Sequence, residues 1–209
     1  MADRLAGRRL YLCTADRPDL AEFLGACIDG GVDVVQLRDK EMDARPLLRR
    51  ARLARDVCAA KGVPFVLNDR PDLALECGAD GVHVGQDDAP PALARRLLGD
   101  DAIIGLSTHA PAEWAEAEGQ PVDYLSAGPV NATPTKPGRP GTGLSYLEHV
   151  AGTERAIPWF VTGGATPDTI PDMAAVGARR FVVVRYLTES TDPEAAARRL
   201  RDTIDPLWA

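Results

Sequence analysis

Along the chain, brief runs of apolar and β-branched residues alternate with longer stretches in which apolar positions recur every three or four residues. The short runs are RLYLCT from Arg9, VDVVQL from Val32, PFVLN from Pro64, GVHVG from Gly81, AIIGLS from Ala102, DYLSAG from Asp123, PWFVT from Pro158 and RFVVV from Arg180. Each is nearly continuously apolar, as a strand buried on both faces of a parallel sheet must be. Between them lie helix patterns. From Ala44 to Ala60, Leu47, Leu48, Ala51, Ala54, Val57 and Cys58 fall on one face and arginines on the other. The last pattern, Asp192 to Leu207, opens on Asp-Pro, a suitable N-cap and first helical residue. Gly62, Gly78, Gly99, Gly152 and Gly177 stand where helices are expected to stop.

Repeated βα units over residues 1–209, without a linker or a shift in composition, predict an α/β fold: a single-domain (β/α)8 TIM barrel. An open doubly wound sheet is the alternative. The barrel carries a functional expectation, because its ligands are handled at the C-terminal strand ends by the eight βα loops.

Charge narrows the ligands. A formal net charge of -7 opposes a nucleic-acid or anionic membrane partner, so a small anion would need local cations or a metal. Cys13, Cys27, Cys58 and Cys77 are widely spaced, with no C-x-x-C and no zinc-type histidine cluster, and read as buried thiols. No apolar run approaches the roughly eighteen residues of a membrane span, and that in MADRLAGRRLYLCTAD is too short for a signal peptide. The expected location is the cytoplasm, the expected partners small phosphorylated molecules; a homo-oligomer is left open.

The strand ends carry the candidate chemistry. After the second strand, QLRDK places Arg38 and Lys40 at alternate positions, with the Gln36 amide on the same side. The third strand runs into Asn68, Asp69 and Arg70, the fourth into GQDD. Asp69 and one of Asp87 or Asp88 are expected to face each other across a gap of metal-ion size, suited to magnesium completed by water and phosphate oxygens. Each motif alone also has an ordinary reading as a turn or helix cap. In GLSTH, one of Ser107 and Thr108 is expected to cap the next helix and the other to reach a ligand. His109 is expected to face solvent, and His83 and His149 to be structural. After the sixth strand, Thr133, Thr135 and Lys136, stiffened by Pro134 and Pro137, form a preorganised anion clamp. The arm Gly138 to Gly143 follows as the expected lid. The glycines of TGGAT, with Gly164 among them, and the VVVRYL end at Val184 and Arg185 suit a phosphate site made by loops seven and eight. Neither a dinucleotide fingerprint, a P-loop, a nucleophile elbow nor a Ser-His-Asp set occurs. Two anion sites around a metal suit displacement of a diphosphate by a second phosphorylated reactant.

The ordered set QLRDK, LNDR, GVHVGQDD, GLSTH, DYLSAGPVNATPTKPG, VTGGAT and VVVRYL resembles the thiamine-phosphate synthase family from Gln36 to Leu187. The resemblance implies a barrel that joins hydroxymethylpyrimidine diphosphate to a thiazole phosphate, carboxylated or not, giving thiamine phosphate and pyrophosphate with Mg2+. It assigns the pyrimidine diphosphate to Gln36, Arg38, Lys40, Asn68, Ser107 and Lys136, with Leu37 and Asp39 in the same strand end. It assigns magnesium to Asp69 and Asp88, and the thiazole phosphate to Thr133, Pro134, Thr135, Gly164, Val184 and Arg185. Arg38, Lys40, Ser107 and Lys136 are the catalytic expectations. In the family the diphosphate leaves first, and the thiazole nitrogen that captures the cation has no proton to lose, which agrees with the missing general base. Asn131, Ala132 and Arg185 depart from the family pattern. A thiazole tautomerase using His109 and a non-catalytic thiazole or thiamine phosphate sensor are the rival readings.

Overall fold

The computed structural model describes residues 4–132, 140–153 and 157–208. Every expected strand forms: β1 Leu10–Thr14, β2 Val34–Leu37, β3 Phe65–Asn68, β4 Gly81–Val84, β5 Ile103–Thr108, β6 Tyr124–Ala127, β7 Trp159–Val161 and β8 Phe181–Val183. Each pairs in parallel with its sequence neighbours. The register Leu10↔Phe181 to Leu12↔Val183 brings β8 onto β1 and closes the barrel, which excludes the open sheet. Outside it lie α1 Leu20–Asp29, α2 Ala44–Ala60, α3 Pro71–Cys77, α4 Pro91–Leu98, α5 Pro111–Glu116, α6 Gly143–Ala151, α7 Ile170–Ala175, the short α8 Arg185–Thr188 and α9 Pro193–Ile204.

Helix ends follow local chemistry. Asp192 caps α9, its Oδ1 accepting from Ala195 N–H at 3.0 Å, as the Asp-Pro opening requires. The helix ends sooner than its pattern predicts and continues as a 3-10 turn, Asp205–Trp208. Pro206 is the physical reason, since it has no N–H to give to an α-helical bond. Gly78 closes α3 at φ 69°, a left-handed conformation that costs glycine nothing.

Alternation along the strands, hidden in sequence by their apolar character, sorts side chains into two cores. Outward residues such as Leu12, Val35, Leu67, Ile104, Leu125 and Val161 pack beneath the helices. Inward residues Tyr11, Val34, Val66, Ile103, Tyr124 and Phe160 fill the lower barrel, with Leu5 joining from the N-terminal segment. Aromatic rings dominate this plug: Phe160 meets Tyr11 and Tyr124 edge-on at 5.4 and 5.6 Å. Gly105 is required opposite Tyr124, whose ring a β-carbon there would strike at 2.1 Å.

One device recurs below the plug. Asp33, Asp80 and Asp123 each immediately precede an even-numbered strand and accept backbone N–H groups at the start of the preceding strand. Asp33 takes Arg9 and Leu10 N–H (2.9 and 3.0 Å), Asp80 takes Phe65 N–H (2.8 Å) and Asp123 takes Ile104 N–H (2.7 Å). Each carboxylate also holds an arginine: Arg201, Arg4 and Arg95 respectively. Before β8 the corresponding residue is Arg180. Its guanidinium and that of Arg9 lie 4.7 and 4.5 Å from the Trp208 ring, fastening the C-terminal turn under the barrel.

Burial pushes the Asp33 carboxyl up from 3.8 to about 6, outweighing the N–H donors and Arg201, which favour its charge. The folded state therefore binds this proton more tightly than the unfolded chain. The associated stability is fully present below 3.8 and is lost as pH rises through about 6, up to ~3 kcal/mol in all. Urea unfolding of wild type and Asp33→Asn at pH 4 and pH 7 should show the wild type losing ground to the variant by that order of magnitude at the higher pH.

Candidate active site

Nearer the mouth, at the C-terminal ends of β1 to β6, the inward side chain is polar. Cys13 stands above Tyr11, Gln36 above Val34, Asn68 above Val66, and Ser126 above Tyr124, while β4 contributes His83 and β5 contributes Ser107. These groups and the loops above them line a cavity of about 370 Å3 at the mouth. Of the expected site residues, Gln36, Arg38, Lys40, Asn68, Asp69, Asp88, Ser107, Gly164, Val184 and Arg185 all line it. Thr133, Pro134, Thr135 and Lys136 lie outside the described residues. Leu37 points the other way, into the core under the helices, so only its backbone is available to a ligand. Asp39 serves the loop instead, its Oδ1 accepting from Glu41 and Met42 N–H at 3.2 and 3.0 Å.

The two candidate metal carboxylates converge, and Asp88 rather than Asp87 makes the pair. Asp69 and Asp88 are neighbours close enough to share a proton, and Lys40 Nζ lies 2.8 Å from Asp69 Oδ2. Asp88 is steadied by Gly85 N–H, 2.8 Å from its Oδ2. Asp69 sits at φ 61°, a left-handed conformation that Asp and Asn tolerate better than most residues. Burial pushes its carboxyl above the usual range, with the neighbouring Asp88 adding to the effect against Lys40. Burial also presses on Asp88, but the bond from Asp69, the Gly85 N–H and the Lys40 charge together hold it below its usual range. The pair is thus poised to keep one proton or to exchange it for a cation. Two hard oxygen ligands, with no group of three acidic, histidine or cysteine residues among the described residues, fit magnesium with water and phosphate oxygens completing its shell.

Positive charge is distributed around this pair. Arg38 and Arg185 line the cavity and form no ion pair with another described residue. Across the mouth, Gly163 and Gly164 have φ of 96° and 88°. A β-carbon on Gly163 would come within 2.6 Å of Pro129 and Val130, and one on Gly164 within 2.8 Å of Asn131. The TGGAT turn therefore packs directly on the stem of the sixth loop. That stem is a closed neck: Thr142 N–H reaches Pro129 O (2.8 Å), Gly143 N–H reaches Val130 O (3.0 Å) and Val130 N–H reaches Thr162 O (2.8 Å). Gly141 to Gly143, expected as part of a mobile lid, belong to this hydrogen-bonded neck and the start of α6. Gly138 lies outside the described residues.

Three other expectations change. Neither Ser107 nor Thr108 caps α5, which has Ala110 at that position; Ser107 turns into the barrel, and Thr108 turns outward to α6, where the Tyr146 hydroxyl donates to its Oγ1 at 2.7 Å. Ser107 Oγ meets His83 at 2.9 Å and Thr108 Oγ1 donates to Ser126 O at 3.0 Å. His109 does not face solvent: it lines the cavity with Nδ1 2.8 Å from Glu113. His83, read as structural, also lines the cavity, beside Tyr11, Tyr124, Ser126, Cys13 and Gln86, none of which the loop motifs bring forward. Their signal is parity, since each strand member among them shares the inward phase of its strand.

Fold and mouth together define a class, a single-domain (β/α)8-barrel enzyme that gathers cations, a carboxylate pair and a glycine turn at its mouth. The family model for thiamine monophosphate synthase matches residues 10–187, and the chain belongs to that family. It is 50% identical over 202 residues to thiamine-phosphate synthase of Thermobifida fusca, covering 95% of this chain and 93% of that protein. It is 46% identical over 203 residues to thiamine-phosphate synthase of Thermus thermophilus, covering 94% and 97%. The structure also matches thiamine phosphate pyrophosphorylase from Pyrococcus furiosus with a TM-score of 0.86 at 27% identity, covering 97% of this chain and 98% of that one.

Because Arg38 is not committed to a carboxylate among the described residues, its charge is available to an anion. Arg38→Ala should weaken binding of inorganic pyrophosphate about tenfold or more, read by titration calorimetry, with little change in melting temperature.

Proposed function

We propose that the protein joins hydroxymethylpyrimidine diphosphate to a thiazole phosphate, releasing pyrophosphate and forming thiamine phosphate. The convergence of Asp69 and Asp88 beside Lys40 in one cavity with Arg38 carries this reading. Asp69 and Asp88 would hold Mg2+, which when bound supplies charge neutralisation to a diphosphate leaving group. Arg38 and Lys40 attract the diphosphate and stabilise negative charge as its bond to the pyrimidine methylene breaks. Lys40 exchanges its contact with Asp69 for the incoming anion, and Ser107 and Asn68 donate from the strand ends below. The second substrate's phosphate is assigned to Gly164 and the Val184–Arg185 backbone, together with Thr133, Pro134 and Thr135; Lys136 is assigned to the diphosphate. Arg185, at the start of α8, adds a cation to the phosphate end and is expected to tighten it. The closed cavity wall of Tyr11, Tyr124 and Val182 offers the pyrimidine an apolar floor and limits water near a cationic reacting carbon. No side chain is needed as a general base, because the attacking thiazole nitrogen has no proton to lose.

The experiment is direct. Purified protein mixed with both phosphorylated precursors should release pyrophosphate only when both precursors and magnesium are present. Asp69→Asn should lower turnover by two or more orders of magnitude while still binding thiamine phosphate. Asn accepts the left-handed backbone at position 69, so the variant should fold. Undiminished turnover in this variant would remove the carboxylate pair from the reaction, and an inert wild type that binds thiamine phosphate would favour the sensor.

A further inference from the structure

Below the mouth, buried polar side chains join into one continuous line. Cys13 Sγ donates to Gln36 Oε1 (3.2 Å), and Gln36 Nε2 donates to the Tyr11 hydroxyl (2.8 Å). The Tyr11 and Tyr124 hydroxyls are 2.8 Å apart, Tyr124 Oη is 2.8 Å from His83 Nδ1, and His83 Nε2 is 2.9 Å from Ser107 Oγ. The line crosses the barrel from β1 to β5, and every member is buried.

A hydroxyl has one proton to give and, when buried, must place it on an acceptor, so along this line the direction of the first bond sets all the others. The Gln36 amide turns its oxygen to the Cys13 thiol, a donor and a poor acceptor, and its NH2 to the Tyr11 oxygen. Tyr11 then gives its proton to Tyr124, and Tyr124 gives its own to His83 Nδ1. An imidazole that accepts at Nδ1 carries its proton on Nε2 and donates there to Ser107 Oγ. Both phenols remain protonated over the physiological range, because burial pushes each well above its ordinary value.

We infer that this line of hydrogen bonds makes Ser107 a one-way donor: His83 and the Ser126 hydroxyl, 3.4 Å away, both donate to the serine oxygen, and the serine proton is left for the anion in the cavity. His83 and Tyr124 are then positioning residues, acting through Ser107. With the opposite order Ser107 would give its proton to His83 and present only lone pairs to a negatively charged oxygen. Donation to an anion is the stronger, charge-assisted kind of hydrogen bond, so the order bears directly on affinity. The ligand half of this inference rests on the cavity's reading as a diphosphate site; the proton order does not.

Two measurements test it on the full chain. Long-range 1H–15N correlation of the imidazoles, with His83 assigned from a His83→Gln sample, should show Nδ1 bare and Nε2 protonated. A proton on Nδ1, alone or with one on Nε2, overturns the proposal, and this wild-type spectrum decides it even if every variant fails to fold. The second measurement is calorimetric affinity for inorganic pyrophosphate with magnesium present. Tyr124→Phe, which removes the proton given to Nδ1, should bind about tenfold more weakly. His83→Asn, whose amide stands nearer the Nδ1 position, should lose about as much, whereas His83→Gln, whose amide nitrogen can stand at Nε2, should retain wild-type affinity. Equal losses in the two His83 variants, or unchanged affinity in Tyr124→Phe, overturn the positioning role. A wild type that binds no pyrophosphate overturns the ligand half. A wild type that binds it but makes no thiamine phosphate overturns the proposed function and leaves the proton order standing.

Discussion

Closure of eight parallel strands imposes one constraint from which the rest of this molecule follows: alternate residues of every strand must point into a common interior. That interior has no access to water at its base and open access at its mouth. The chain answers with apolar and aromatic side chains in the lower inward layer, Tyr11, Val34, Val66, Ile103, Tyr124 and Phe160. It places polar ones, Cys13, Gln36, Asn68, His83, Ser107 and Ser126, in the inward layer nearer the mouth. Buried polar groups are costly unless satisfied. The two tyrosines resolve this at the boundary, with their rings in the plug and their hydroxyls in the polar layer, where they join Gln36 to His83.

The same geometry explains how a chain of net charge -7 presents an anion site. The averaged field does not govern a concave mouth, where the nearest groups dominate. Here the carboxylates Asp69 and Asp88 are held against each other and against Lys40, so much of their charge is compensated within the cavity. Arg38 and Arg185 supply positive charge with no described carboxylate paired to them. Elsewhere, acidic residues are used as structure. Asp33, Asp80 and Asp123 tie the barrel base through backbone N–H groups and arginines, far from the ligand end.

How far this was legible in sequence depends on the kind of interaction. Strand positions were legible, since a fully buried strand must be apolar whatever its neighbours, and the eight runs fall within a residue or two of the observed elements. Loop residues with distinctive chemistry were legible too: Arg38, Lys40, Asn68, Asp69, Asp88, Ser107 and Gly164 share one cavity. Which of Asp87 and Asp88 completes the carboxylate pair was legible only through the family resemblance, because a turn residue's direction depends on backbone angles that spacing does not fix. Ser107 and His109 show the same limit: a helix cap was expected from one of Ser107 and Thr108 and a solvent-facing ring from His109, but His83 and Glu113 offer them stronger partners. Pro206 was visible, yet the periodic pattern around Asp192 to Leu207 concealed its effect. The tyrosine and histidine line was hidden most deeply. Tyr11 and Tyr124 look like ordinary strand aromatics until barrel closure brings β1 and β6 to opposite sides of one floor.

Separation of stabilising and functional layers also bears on what the site tolerates. The base is fixed by aspartate clips, the Arg9–Trp208–Arg180 stack and the aromatic plug, none of which uses a mouth residue other than the tyrosine hydroxyls. Loops at the mouth can therefore change without loosening the strands. The exception is the boundary layer itself. Changing Tyr124 disturbs the packing against Phe160, the fit over Gly105 and the proton on His83 together. Stability and ligand recognition meet in that one side chain, and there selection for either constrains the other.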